Sequence, residues 1–235
     1  MQALKKARTP SESVSIIAVI IGILVFGSVW GLVEATLGGA LHLIHFAYKG
    51  AITGGIGISI MAAFVVIYRR PKLAFGLAVI AALFKPLSAL IYGQPAFSPF
   101  VLNPASAILL EGLAFTVVVS LLSRRFESSM KTRIAAGISA GYLSIILYAI
   151  LASTAGMGKW ATWGFVERLN SMLIDGTALA IAGTCLLLPG HLAGMQLRPK
   201  FWQLKSTKPS LFYGSTAATI VFCWAIAAVA FASGL

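Results

Sequence analysis

Gly27-Ser-Val-Trp-Gly-Leu-Val-Glu-Ala-Thr-Leu-Gly-Gly-Ala-Leu-His-Leu-Ile-His45 sets one carboxylate, Glu34, inside an apolar run that begins near Val14. Such a run is long enough to cross a bilayer, whose hydrocarbon core takes about 20 apolar residues per helix. Glu34 then lies at membrane depth. An ionisable group there is costly and marks a functional site or a buried partner pair.

The whole chain agrees with this stretch. Of its 235 residues, 59% are hydrophobic and only 10% are charged, and the mean hydropathy is +0.93. Soluble domains carry about 25% charged residues, so the composition predicts an integral membrane protein. The net charge of +12 is not a nucleic-acid signature, because the basic residues fall in short blocks between apolar runs, as the positive-inside rule requires. Cys185 and Cys223 lie in apolar runs without metal-type spacing and read as packing residues. Lys5, Lys6 and Arg8 precede the first run and mimic a signal peptide. That run exceeds the roughly 7–15 residues of a signal core, so it reads as an uncleaved first helix.

Seven spans are expected, near 15–45, 50–68, 73–92, 102–123, 133–154, 169–189 and 211–233. This predicts an all-α polytopic bundle of six core helices (15–190) followed by a seventh at the C-terminus (211–233). Residues 1–14 form a basic N-terminus, and 191–210 are expected to be a basic loop. Fourteen Lys and Arg residues fall on one side of this topology. Only Lys49, Lys159 and Arg168 fall on the other, with Lys85 inside a span. Positive-inside then puts the N-terminus in the cytoplasm and the C-terminus outside. The outer loops, 46–50, 93–103 and 155–167, carry Asn103, Trp160 and Trp163. Such residues suit a lid over a small polar ligand, and equally an interfacial aromatic belt.

Glu34, Lys85, Glu111 and Asp175 come from four different spans at similar depth, which predicts a shared cavity for a ligand or ion. The alternative is an ion-pair network that only specifies packing. Three acids to one base favour a cationic or donor-rich ligand. On a continuous helix His45 would lie almost beneath Glu34, which makes a Glu34/His45/His42 metal site geometrically possible, although no metal is predicted. Pro86, directly after Lys85, predicts a kink. Ala18 and Gly22, like Ala74, Ala78 and Ala82, recur every four residues and form small faces along which helices approach closely, by default within the chain.

Trp30-Gly31-x-x-Glu34-Ala35-x-x-Gly38, the Asn103-Pro-Ala-Ser-Ala-Ile-Leu-Leu-Glu-Gly112 opening of the fourth span, and the alanine stripe of the third carry a family resemblance. Over residues 15–190 the chain resembles a substrate-binding S component of an energy-coupling factor (ECF) vitamin transporter. The resemblance implies a small-molecule substrate held near the outer face beneath the loops after the first, third and fifth helices. It also implies a transmembrane coupling subunit with an ATPase pair as partners, docked on the Ala18/Gly22 and Ala74/Ala78/Ala82 faces, in the cell membrane. The family usually has six helices, so the span 211–233 is a departure.

The expected function is therefore ATP-driven import of a water-soluble micronutrient, with no cofactor and no nucleic-acid partner. Ligand contacts are expected from Glu34, Lys85, Glu111 and Asp175, with Trp160, Trp163 and Asn103 as a lid above them. The chain has no G-x-x-x-x-G-K-[ST] loop, so ATP hydrolysis would fall to another subunit. It has no H-E-x-x-H or G-x-S-x-G either, and an enzyme is not expected. The rival is a stand-alone proton- or ion-coupled carrier using Glu34, Glu111 and Asp175.

Overall fold

The computed structural model describes residues 15–95 and 97–234, so the basic segment 1–14 lies outside the described residues. Among the described residues eight α-helices follow in order: α1 Ile16–Leu43, α2 Lys49–Tyr68, α3 Phe75–Ala82, α4 Phe84–Ile91, α5 Pro99–Phe126, α6 Met130–Thr154, α7 Phe165–Thr207 and α8 Pro209–Ala232. Short 3-10 turns occupy Pro71–Leu73 and Gly158–Ala161, and no strand occurs among the described residues. Among the described residues seven stretches are long and apolar enough to span a bilayer, with Pro71–Ile91 counting as one. A helix satisfies all its backbone hydrogen bonds internally, which lipid cannot do for it. The protein is a multi-pass α-helical membrane bundle.

The third span breaks at Leu83, between α3 and α4. Pro86 has no N–H to offer the carbonyl of Ala82, so the helix cannot run straight through this point. A larger departure from expectation is α7. Residues 191–207 continue the helix that was expected to stop at 189, with Pro189 and Pro199 both inside it. Its 43 residues extend about 65 Å at 1.5 Å per residue, roughly twice the hydrocarbon thickness. Packing on α2 overrides the prolines. Gly190 lies on the backbone of Ser59 and Gly194 on that of Ala63, while the rings of Phe201 and Trp202 meet Tyr68 edge-on. Lys208 alone separates α7 from α8.

Glycines facing large groups set the helix pairs. Gly22 of α1 abuts the Tyr68 ring, and Trp30 covers Gly57, so α1 and α2 run antiparallel. Gly27 meets Ile80 and Gly31 meets Phe84, so α1 runs parallel to the third span. A Cβ on Gly112 of α5 would stand 2.1 Å from that of Ala78. These contacts correct one expectation. Ala18, Ala74 and Ala78 are fully buried, Ala82 is 6% exposed, and Gly22 is covered by Tyr68. All five residues expected to dock a partner are buried inside the chain, where small side chains let neighbouring helices approach closely.

Helix α2 is the hub: 67% of its most apolar stretch is buried, against 28% for α7 and α8. Helix α8 packs on α1 and α4, where Trp224 Nε1 donates to Ser28 Oγ at 3.1 Å and its ring lies 4.2 Å from that of Phe84. Alternation of the spans places residues 44–48, 92–95, 97–98 and 155–164 at one end of the bundle. Arg69, Arg70, Lys72, the basic residues 124–133 and those of 198–208 lie at the other, hereafter the basic end.

Gly57→Leu should lower the thermal unfolding midpoint of the detergent-solubilised protein, since overpacking costs about 1–3 kcal/mol or more. Gly214→Ala, at a helical position with no neighbour within 4 Å, should leave the midpoint unchanged or raise it slightly.

Candidate ligand-binding site

A cavity of about 300 Å³ opens at the end opposite the basic one, between the start of α2 and α5, α6, α7 and the Gly158–Ala161 turn. Glu111, Asp175, Asn103, Tyr48, Tyr148 and Trp160 are among its lining residues. Glu111 projects from α5 onto the bare backbone of Gly54 in α2, where a Cβ would stand 2.7 Å from its Oε1. Its Oε2 is buried and has no hydrogen-bond partner. Asn103, two turns earlier on α5, is similar: its buried Oδ1 also lacks a partner. Asp175 accepts a 2.6 Å hydrogen bond from Ser171 Oγ, one turn earlier on α7.

The connection between α6 and α7 forms one wall. Gly156 and Gly158 both take positive φ, 64° and 52°, which only glycine adopts without strain. They turn the chain so that Trp160 comes back over Tyr148, with ring centroids 6.3 Å apart at 82°. Trp163 does not line the cavity. Its ring lies 5.4 Å from that of Trp160, tilted by 56°, and carries Lys159 Nζ over it at 4.4 Å. Trp160 is thus 6% exposed within a small apolar cluster with Ala149 and Ala152. The segment 44–48 contributes Ala47 and Tyr48, whereas none of the described residues 92–95 and 97–98 joins the lining.

The four intramembrane ionisable residues divide two and two. Glu111 and Asp175 line the cavity. Glu34 and Lys85 pair with each other instead, Nζ to Oε2 at 3.5 Å, with side chains only 10% and 14% exposed. This pair lies outside the cavity lining. Helix α1 ends at Leu43 and His45 turns to φ 54°, so the stacking of His45 beneath Glu34 does not form. His42 Nδ1 meets Lys49 Nζ at 2.5 Å. Among the described residues no three His, Cys, Asp or Glu side chains are grouped to hold a metal ion.

Tyr48, Ser144, Tyr148, Lys159 and Ser171 also line the cavity and were not singled out from sequence. Ser144 and Tyr148 are four apart on α6, which puts them on one face. That spacing is common to any buried helix face and distinguishes nothing. Chemically, the site presents unpartnered acceptors between aromatic walls. A buried acceptor left without a donor is destabilising, so this arrangement suits a ligand that brings N–H or O–H donors or a positive charge. Comparison with known family models, with curated proteins and with solved structures finds no match.

Lys85→Met should leave Glu34 without its partner and cost about 3–5 kcal/mol, the range for breaking a buried pair. Adding Glu34→Gln to the same chain should recover most of the lost unfolding midpoint. A double mutant no better than Lys85→Met would show that the pair is not coupled.

Proposed function

We propose that this chain is the substrate-binding subunit of an ATP-driven, ECF-type importer for a small water-soluble micronutrient such as a vitamin or vitamin precursor. The observation that carries this reading is the cavity at the weakly charged end, which holds the orphaned Glu111 Oε2 and Asn103 Oδ1 beside Tyr148 and Trp160. Its volume of about 300 Å³ is at the small end of ligand pockets, which run from roughly 300 to 1,000 Å³. A compact, flat, donor-bearing or cationic ring fits that space. Its positive edge would meet Glu111, and its face would lie on the aromatic side chains.

The location follows from charge. With the basic end in the cytoplasm of a plasma membrane, the N-terminus is inside and the cavity faces outward. Ligand from outside would enter beside the Trp160 wall. The chain has no phosphate-binding loop, so the driving ATPases are separate subunits reached through a transmembrane partner. That partner would meet a face other than the Ala18/Gly22 and Ala74/Ala78/Ala82 stripes, which are buried. A stand-alone carrier is the second reading. It is favoured by the same Glu111, because a buried carboxyl without a fixed partner can also exchange protons.

Affinity purification of the tagged chain from its native membrane in mild detergent should recover a polytopic subunit together with two ATPases. Recovery of the chain alone, with uptake by vesicles that contain no ATPase, would overturn the importer in favour of the carrier. The chain incubated with a cell metabolite extract should retain a small molecule detectable by mass spectrometry. Glu111→Gln should reduce that retention at least tenfold, in keeping with the roughly 2–5 kcal/mol lost when one partner of a buried charge contact is removed.

A further inference from the structure

The basic end holds a second cavity, of about 200 Å³, lined by Val66, Arg69, Glu127, His191, Met195 and Arg198. It lies where α2 and α5 end and the long helix α7 passes them. His191 is the telling residue. It is 2% exposed, its ring stands edge-on to Phe126 at 5.8 Å, and its Nε2 has no hydrogen-bond partner. A buried ring nitrogen without a partner, in the wall of a cavity, calls for a polar group from outside the chain. The two arginines define its sign. Arg69 gives one terminal nitrogen to Glu127 at 2.9 Å and keeps its other donors. Arg198 has no acidic partner among the described residues.

We infer that this cavity is an anion site for a phosphate group, held by Arg198 and Arg69 with His191 donating at its base. Glu127 is the one lining residue of the wrong sign, and it is already paired with Arg69. The two guanidinium groups therefore outweigh it. Arginine's planar fork matches phosphate oxygens two at a time, as a lysine would not. A basic pocket between helices at the charged end of a membrane protein is also where lipid headgroups lie. The phosphate can come from an anionic phospholipid or from free phosphate in the aqueous phase. This inference is independent of the substrate cavity and of the transport reading.

The test uses the purified, delipidated full chain. In one arm it is incubated with phosphatidylglycerol or phosphatidylcholine and examined by native mass spectrometry. In the other, its unfolding midpoint is measured in inorganic phosphate and in chloride at matched ionic strength. Retention of phosphatidylglycerol over phosphatidylcholine identifies a lipid headgroup. A rise of about 2–4 °C in phosphate alone identifies free phosphate. In either case Arg198→Gln should weaken the effect roughly fivefold, the worth of one basic residue at an anionic surface. Arg124→Gln, an exposed residue at the same end but outside the cavity, should change nothing. No preference in either arm, or equal losses in the two variants, would overturn the site.

Discussion

A glycine laid against a ring or a neighbouring backbone is the contact on which this bundle depends. Lipid tails are as apolar as leucine, so helices in a membrane gain little from burying apolar surface against one another. They gain from close approach, which multiplies weak dispersion contacts. Helix α2 shows this most directly. Gly54 faces the Glu111 carboxyl of α5, Gly55 faces Ala182 and Leu186 of α7, and Gly57 faces Trp30 of α1. Three glycines within one turn seat three different helices, and α2 becomes the hub for that reason.

The candidate site inherits its geometry from that hub. Because Gly54 has no side chain, the Glu111 carboxyl can lie against α2 rather than be displaced by it. The bundle then treats its intramembrane charges in two ways. Glu34 and Lys85 neutralise each other outside the cavity lining, whereas Glu111 keeps a buried oxygen without a partner beside an open volume. The first arrangement is self-sufficient. The second leaves a polar group that only a further molecule or a proton can satisfy, which is the physical basis of selectivity at buried polar sites.

The two ends of the molecule differ in the same terms. The end with the Trp160 wall carries few basic residues and closes over its cavity with aromatic side chains and two left-handed glycines. The basic end gathers arginines around His191, where the over-long α7 continues past the hydrocarbon thickness. Without the continuation of α7 through Pro189, His191 and Arg198 would not stand beside Arg69. Helix packing and charge placement are one arrangement there.

Apolar run length and charge alternation were enough to determine seven spans and their order, because a bilayer imposes both on any chain that crosses it. The kink beside Lys85 was legible too, since proline lacks the needed N–H wherever it falls. Glu111 and Asp175 stood out as charges at membrane depth, and Asn103 and Trp160 as polar and aromatic groups of the outer loops; all four line the cavity. Sequence could not decide which charges pair. Glu34 and Lys85 are 51 residues apart, and only the parallel packing of α1 with the third span brings them together. Nor could it decide that the small-residue stripes are used internally, because a stripe looks the same whichever helix it meets. Helix α7 shows the limit most clearly: local propensity ends it at Pro189, and contact with α2 carries it to Thr207. Local chemistry is written residue by residue, but pairing between distant helices is a property of shape, which exists only once the chain has packed.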